Sequence, residues 1–435
     1  MPKLVTFFKH CYTLLTPRRL IVYSGICILS IYLYFAWKKH WLAGPYQRVE
    51  IYLPQQKATA LVLLITPSDA HSKARSQVIH YATQHGAVLA WVQLGHYIKK
   101  YNPDKDACSD LTEDIGRVSK RVLKRADITT YVAPLLIGLD GSATFVQQVV
   151  ASAVRGGIAG AIVMPQAANT PTSTSVSIPS CTTQNTQADL PQVHIEKNTA
   201  AIIQTLEPYL HSDQMHAAQL PLMEYPVKGS RRAVVLLSGD GGWRDFDNDL
   251  ALALQKRGVS VIGWNSLPYF WAIKTPRAFS QDMNRVLAAY QQRWHIEQFA
   301  LAGYSFGADV LPFAYIGLPQ SMRDKIGFLS LLGFEDSADF KIRIGGWLGW
   351  GNRGTRPVMP VIHQMDPRMI QCVYGEEEKK SSCDELRPLG AQIVERAGGH
   401  HFDGKPDALA ASLLAGWELR SHSSKLAPTV NQKGQ

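Results

Sequence analysis

The strongest constraint on the fold is a series of strand-like and helix-like segments that begins at Ala60 and begins again at Ala233. Each copy opens with an apolar run that enters a polar turn: Ala60 to Thr66 before Pro67-Ser68-Asp69, and Ala233 to Leu237 before Ser238-Gly239-Asp240. A glycine suited to ending a helix then introduces a second apolar run, Gly86 to Trp91 and Gly258 to Trp264. Helical stretches follow at Leu111 to Arg125 and Phe279 to Trp294. A third pair of runs ends in Gly138-Leu139-Asp140-Gly141-Ser142 and Gly303-Tyr304-Ser305-Phe306-Gly307. Strands alternating with helices require parallel βαβ units, so the reading is α/β: one doubly wound parallel sheet, duplicated in tandem. A length of 435 residues agrees, since it exceeds what one hydrophobic core usually organises.

The expected boundaries are domains at 57–212 and 230–420, linkers at 38–56 and 213–229, and a polar tail at 421–435. Pro221, Pro226 and Gly229 interrupt any regular element in the second linker, and Ala167 to Asp189 reads as a long polar loop.

Before the repeat, Leu20 to Trp37 is an uncharged run bounded by Arg18-Arg19 and Lys38-Lys39, just long enough to cross a bilayer. Tyr32, Tyr34, Trp37 and Trp41 gather at its far end, where amphipathic rings favour the water interface. The expectation is one transmembrane helix, residues 20–37, with a basic cytoplasmic segment at 1–19 and the remainder outside the cytoplasm. Cys108, Cys181, Cys372 and Cys383 lie beyond the span, two in each copy. They are expected to pair as Cys108 with Cys181 and Cys372 with Cys383, as an oxidising compartment permits. Neither a CxxC nor a metal-like Cys/His cluster is present, so no metal or other cofactor is expected. The net charge of +10 is drawn partly from the flanks of the span. No long basic run marks the rest, which argues against nucleic acid as a partner.

Chemistry concentrates in the second copy. Phe299 to Ala302 is a short apolar strand before Gly303-Tyr304-Ser305-Phe306-Gly307, and Ala308-Asp309-Val310-Leu311 can begin a helix after it. That is the strand, sharp turn and helix of a nucleophile elbow, with Ser305 as nucleophile. Its base should come last in the chain, at Gly399-His400-His401-Phe402; His401 is favoured over His400, because the residue beside the base often packs an aromatic. The acid that orients it should follow the strand Ile370 to Gly375, with Glu378 first, then Asp384 and Glu377. The oxyanion hole needs the amide of Phe306 and one from the glycine loop, Gly241 or Gly242. Asp240, Trp243, Tyr269, Phe270 and Trp271 are candidates for substrate contact, and Trp347 and Trp350 mark a second aromatic segment. The first copy places Asp140 where the second has Ser305 and lacks the late Gly-His pair, so it is expected to be inert.

These motifs resemble the bacterial virulence protein family typified by VirJ and AcvB. The resemblance rests on Leu237 to Trp243, Tyr269-Phe270-Trp271 with Lys274-Thr275-Pro276, Gly303 to Pro312, and Gly399 to Phe402. The two-domain length is similar to the AcvB form. It implies an α/β-hydrolase-like fold and a periplasmic hydrolase that removes lysyl or alanyl groups from aminoacylated phosphatidylglycerol, with a link to type IV secretion and its proteins. The family's acid lies in the acidic stretch after Tyr374-Gly375, which Lys379-Lys380 interrupt here. Two other readings stand beside it: a lipase or thioesterase with another acyl substrate, and a non-catalytic periplasmic factor that binds a secreted partner.

Overall fold

The computed structural model describes residues 46, 49–67, 72–100, 108–128, 130–139, 141–153, 157–165, 191–210, 220–342, 354–378 and 381–426. The expected span at 20–37, the Cys108 to Cys181 pairing, Asp140, Trp347 and Trp350 lie outside what is described. Among the described residues, no helix is long and apolar enough to cross a membrane.

The first sheet contains β1 (Val49–Tyr52), β2 (Ala60–Thr66), β3 (Ala87–Gln93), β4 (Leu135–Gly138), β5 (Gly160–Val163) and β6 (Val193–Ile195), in the order β1-β3-β2-β4-β5-β6. The second contains β7 (Leu222–Tyr225), β8 (Arg232–Leu237), β9 (Ser260–Trp264), β10 (Gln298–Tyr304) and β11 (Ile326–Leu332). A small ribbon follows, β12 (Ser337–Ala338) with β13 (Arg356–Pro357), and then β14 (Ile370–Gly375) and β15 (Gln392–Arg396) complete the sheet in the order β7-β9-β8-β10-β11-β14-β15. Read from the antiparallel edge, the second sheet repeats the order of the first and adds one strand. All other pairings within the two sheets are parallel.

Helices cover the sheet faces: α1 (Lys73–Gln84), α2 (Cys108–Arg125), α3 (Ala143–Ala151), α4 (Thr199–Leu210), α5 (Asp245–Lys256), α6 (Pro276–Arg293), α7 (Phe306–Ile316) and α8 (Pro406–Leu426). This is why β2, β3 and β9 are buried along their whole length, and why their sequences are continuous apolar runs without an alternating pattern. Local signals set the helix starts. Before α6, the Thr275 side chain accepts from the Ala278 amide at 3.1 Å while Pro276 supplies a preset first turn.

The expected linkers are corrected. Each contains an edge strand, β1 within 38–56 and β7 within 213–229, and each strand pairs antiparallel with the third strand of its own sheet. Pro221 and Pro226 bracket β7 and leave four residues between them. An edge strand this short, with mostly half-buried side chains, presents no long apolar run to read.

The two domains share one continuous apolar cluster. Its junction is Trp271, 1% exposed, whose Nε1 donates to the Ile128 carbonyl at 2.8 Å. Tyr131 meets the same ring edge-on at 5.5 Å between centroids, and the Lys124 ammonium lies 4.4 Å above it. Trp271→Ala should therefore cost about 3–5 kcal/mol in urea unfolding of the full chain.

Candidate active site

Strand β10 lies at the middle of the second sheet, between β8 and β11, and ends at Tyr304. Helix α7 begins at Phe306, so the chain reverses over a single residue, Ser305, with φ +50° and ψ −119°. A non-glycine residue is rarely held there, and the surroundings must impose it. The imposing contacts are visible. A Cβ on Gly303 would lie 2.5 Å from the Gly307 carbonyl carbon, and one on Gly307 would lie 2.7 Å from the Leu237 carbonyl oxygen. The Ser305 amide donates to the Leu332 carbonyl of β11 at 2.8 Å, and its own carbonyl accepts from Ala308 at 2.8 Å. The serine is pinned by both flanking strands and by the first turn of α7.

The loop after β14 brings Glu378 to this turn. Its Oε2 accepts from the Gly375 amide at 2.8 Å, and Oε1 lies 2.6 Å from His400 Nδ1. The His400 ring rests on Gly333, the residue after Leu332; a Cβ there would be 2.8 Å from His400 Cε1. The Tyr304 hydroxyl donates to the His400 carbonyl at 3.2 Å. Burial pushes the Glu378 carboxyl up, but the hydrogen bonds from His400 and the Gly375 amide outweigh it and hold the group below its ordinary range.

The preference for His401 is corrected: the ring that meets the carboxylate is His400. A tight turn, in which the Phe402 amide donates to the Gly399 carbonyl at 2.8 Å, carries both rings, which stand edge-on to each other with centroids 6.2 Å apart. His401 comes under the fields of Glu113, Arg244 and Glu378. Partial desolvation, and then the neighbouring His400, lower its imidazole below the ordinary value. Phe402 does pack an aromatic cluster, with Phe246 and Tyr304, but it anchors the loop two residues after the ring that meets the acid.

Asp384 is exposed and pairs with Arg387, and Glu377 is exposed beside Gly399, so neither carboxylate is the one bonded to the histidine. Gly242 is also corrected as an oxyanion donor, because its amide is spent on the Gly239 carbonyl at 3.1 Å within a turn at φ +89°. The loop lies against the serine at Gly239, where an added Cβ would be 3.6 Å from Ser305 Cβ. The amides of Asp240 and Gly241 follow directly. Phe306 heads α7, where first-turn amides have no helical partner.

The aromatic candidates do not line the site. Trp243, Tyr269, Phe270 and Trp271 are all at most 5% exposed and belong to the core. Trp243 donates to the Tyr225 hydroxyl at 3.1 Å, and the Tyr269 hydroxyl donates to Asp282 at 2.6 Å. Asp309 was not singled out from the sequence. Its buried carboxylate accepts from the Glu335 amide at 2.8 Å and ties α7 to the loop after β11, and burial pushes it well above its ordinary range. The available signal was an aspartate inside an otherwise apolar helix start.

In the first domain the matching turn has a different chemistry. Ser142 is fully buried, and its hydroxyl donates to the carbonyls of Ile65 at 2.7 Å and Leu139 at 2.8 Å. The hydroxyl there is used to hold the turn.

Cys372 and Cys383 form a disulfide that closes the loop bearing Glu378, with a sequence separation of 11. Replacing both by alanine should cost roughly 2–3 kcal/mol in thermal unfolding. The Glu378 bond should contribute stability at neutral pH that is lost as pH falls through the depressed folded pKa. Glu378→Gln should flatten the acid limb of a urea stability profile relative to wild type.

Residues 231–421 match the family model for bacterial virulence protein (VirJ). No curated protein matches the chain. Among solved structures, Est1E from Butyrivibrio proteoclasticus is 14% identical, with 47% of this chain and 93% of that one covered and a TM-score of 0.33. Proline iminopeptidase from Mycobacterium smegmatis is 10% identical over 47% and 95%, with a TM-score of 0.34. The thioesterase domain from the curacin biosynthetic pathway is 14% identical over 45% and 94%, with a TM-score of 0.32. At these scores the neighbours add nothing to the topology already described.

Proposed function

With residues 231–421 taken as a domain of the bacterial virulence protein (VirJ) family, we propose that this chain is a serine ester hydrolase that releases the aminoacyl group of lysyl- or alanyl-phosphatidylglycerol. The observation that carries the hydrolase part is Ser305 held at φ +50° and ψ −119° at a strand-to-helix turn, with the Glu378 and His400 pair packed against the next strand end.

In this reading the Ser305 hydroxyl attacks the ester carbonyl and gives its proton to His400 Nε2. The Nδ1–H bond to Glu378 orients the ring and stabilises the imidazolium. The oxyanion develops toward the Phe306 amide and the Asp240–Gly241 segment. His400 then protonates the departing glycerol oxygen, and water, activated by the same histidine, cleaves the acyl-enzyme to free amino acid.

The substrate assignment rests on the family resemblance, and the chemistry suits it, since an aminoacyl ester is an activated ester. The Cys372–Cys383 disulfide supports an oxidising compartment. An inner-membrane anchor at 20–37 would concentrate the enzyme at a bilayer-borne substrate, with its folded part in the periplasm and secretion-system proteins as further partners.

Detergent-solubilised full chain should release free lysine or alanine from aminoacylated phosphatidylglycerol vesicles, and Ser305→Ala should reduce release by at least about 10³-fold. Equal release by the mutant would rule out Ser305 as nucleophile. Labelling of Ser305 by a fluorophosphonate without amino acid release would favour the lipase or thioesterase reading.

A further inference from the structure

The side of the site that faces the first domain is built by helix α2. Glu113 Oε2 lies 3.5 Å from Arg244 Nη1, and Gly116 lies against the same guanidinium, where a Cβ would come within 3.3 Å of Nη2. Arg244 donates from Nε to the Gly241 carbonyl at 3.3 Å. Lys120 is on the same face of α2, seven residues after Glu113, and is 5% exposed. Its Nζ donates across 3.5 Å to the Asp240 carbonyl.

Both carbonyls of the Asp240–Gly241 segment are thus held by cations, one of them from the domain without a nucleophile. In a trans peptide the carbonyl and the following N–H lie in one plane and point in opposite directions. Arg244 on the Gly241 carbonyl therefore fixes the Gly242 N–H, which is the one turned back onto Gly239. Lys120 on the Asp240 carbonyl fixes the Gly241 N–H in the same way, and that amide lies two residues after Gly239, which packs against Ser305.

We propose that Lys120 of the first domain is a positioning residue for the second domain's oxyanion donor, aiming the Gly241 N–H through the Asp240 carbonyl, while Glu113 seats the Arg244 brace beside it. This rests on the serine-hydrolase reading above. The first domain is then a working wall of the active site. The charged groups facing Lys120 are Arg244 and Asp240 across the junction and Glu113 and Arg117 on its own helix. Burial pushes its ammonium down to about 8, Arg244 and Arg117 press the same way, and Asp240 and Glu113 oppose.

The test uses the full chain with p-nitrophenyl acetate. Lys120→Met should lower kcat about tenfold with KM within about twofold, and Lys120→Arg should restore most of it. Wild-type kcat should fall as pH rises through about 8, and Lys120→Arg should remove that fall. Glu113→Gln, at a partly exposed site, should lower kcat about threefold and serves if Lys120→Met does not fold. A folded Lys120→Met with kcat within about twofold of wild type overturns the proposal. So does an unchanged Glu113→Gln together with a flat wild-type profile across pH 8. Ser305→Ala separates the two readings: turnover persisting there defeats the serine mechanism, whereas an inert Ser305→Ala with unaffected Lys120 and Glu113 variants defeats only the role given to α2.

Discussion

Helix α7 packs so closely on strand β10 that Gly303 has no room for a Cβ, and so closely on the end of β8 that Gly307 has none, and these contacts force Ser305 into a backbone conformation it would not otherwise hold. A strained residue of this kind persists only when its surroundings over-determine it. Here they do so through β8, whose end abuts Gly307, and through β11, whose Leu332 carbonyl takes the Ser305 amide. The loops of the site leave those two strands and the one beside them. The glycine loop leaves β8, Gly333 beneath His400 leaves β11, and the Glu378 loop leaves the next strand outward, closed by the Cys372–Cys383 disulfide.

The repeated strand order gives an internal comparison for this turn. The first domain keeps a glycine at the end of its central strand, and its Ser142 spends its hydroxyl on the carbonyls of Leu139 in the turn and Ile65 of β2. The same scaffold therefore serves as support in one domain and as a site in the other. The shared apolar cluster and the Trp271 junction hold the supporting domain against the site-bearing one, which places α2 at the glycine loop.

Much of the fold was legible because strands buried on both faces leave continuous apolar runs, and the helices between them carry ordinary start and stop signals. Edge strands β1 and β7 were not legible, since four half-buried residues leave no pattern. The place of the aromatic run Tyr269-Phe270-Trp271 is not legible for a related reason. A sequence shows that rings are clustered, but whether they face a substrate or a neighbouring domain depends on what packs over them. In this chain it is the first domain, through Ile128 and Tyr131.

The sequence by itself determined the α/β alternation, its repetition and the elbow glycines, because each follows from local spacing and from the steric demands of one tight turn. Only the tertiary structure decided which histidine meets the acid, which carboxylate that is, and which loop amide is already spent. Adjacent residues such as His400 and His401 share a sequence environment, yet they diverge in partner: His400 bonds Glu378, while His401 comes under the field of Glu113 on α2. That divergence depends on chain segments far apart in sequence, and no local pattern records it.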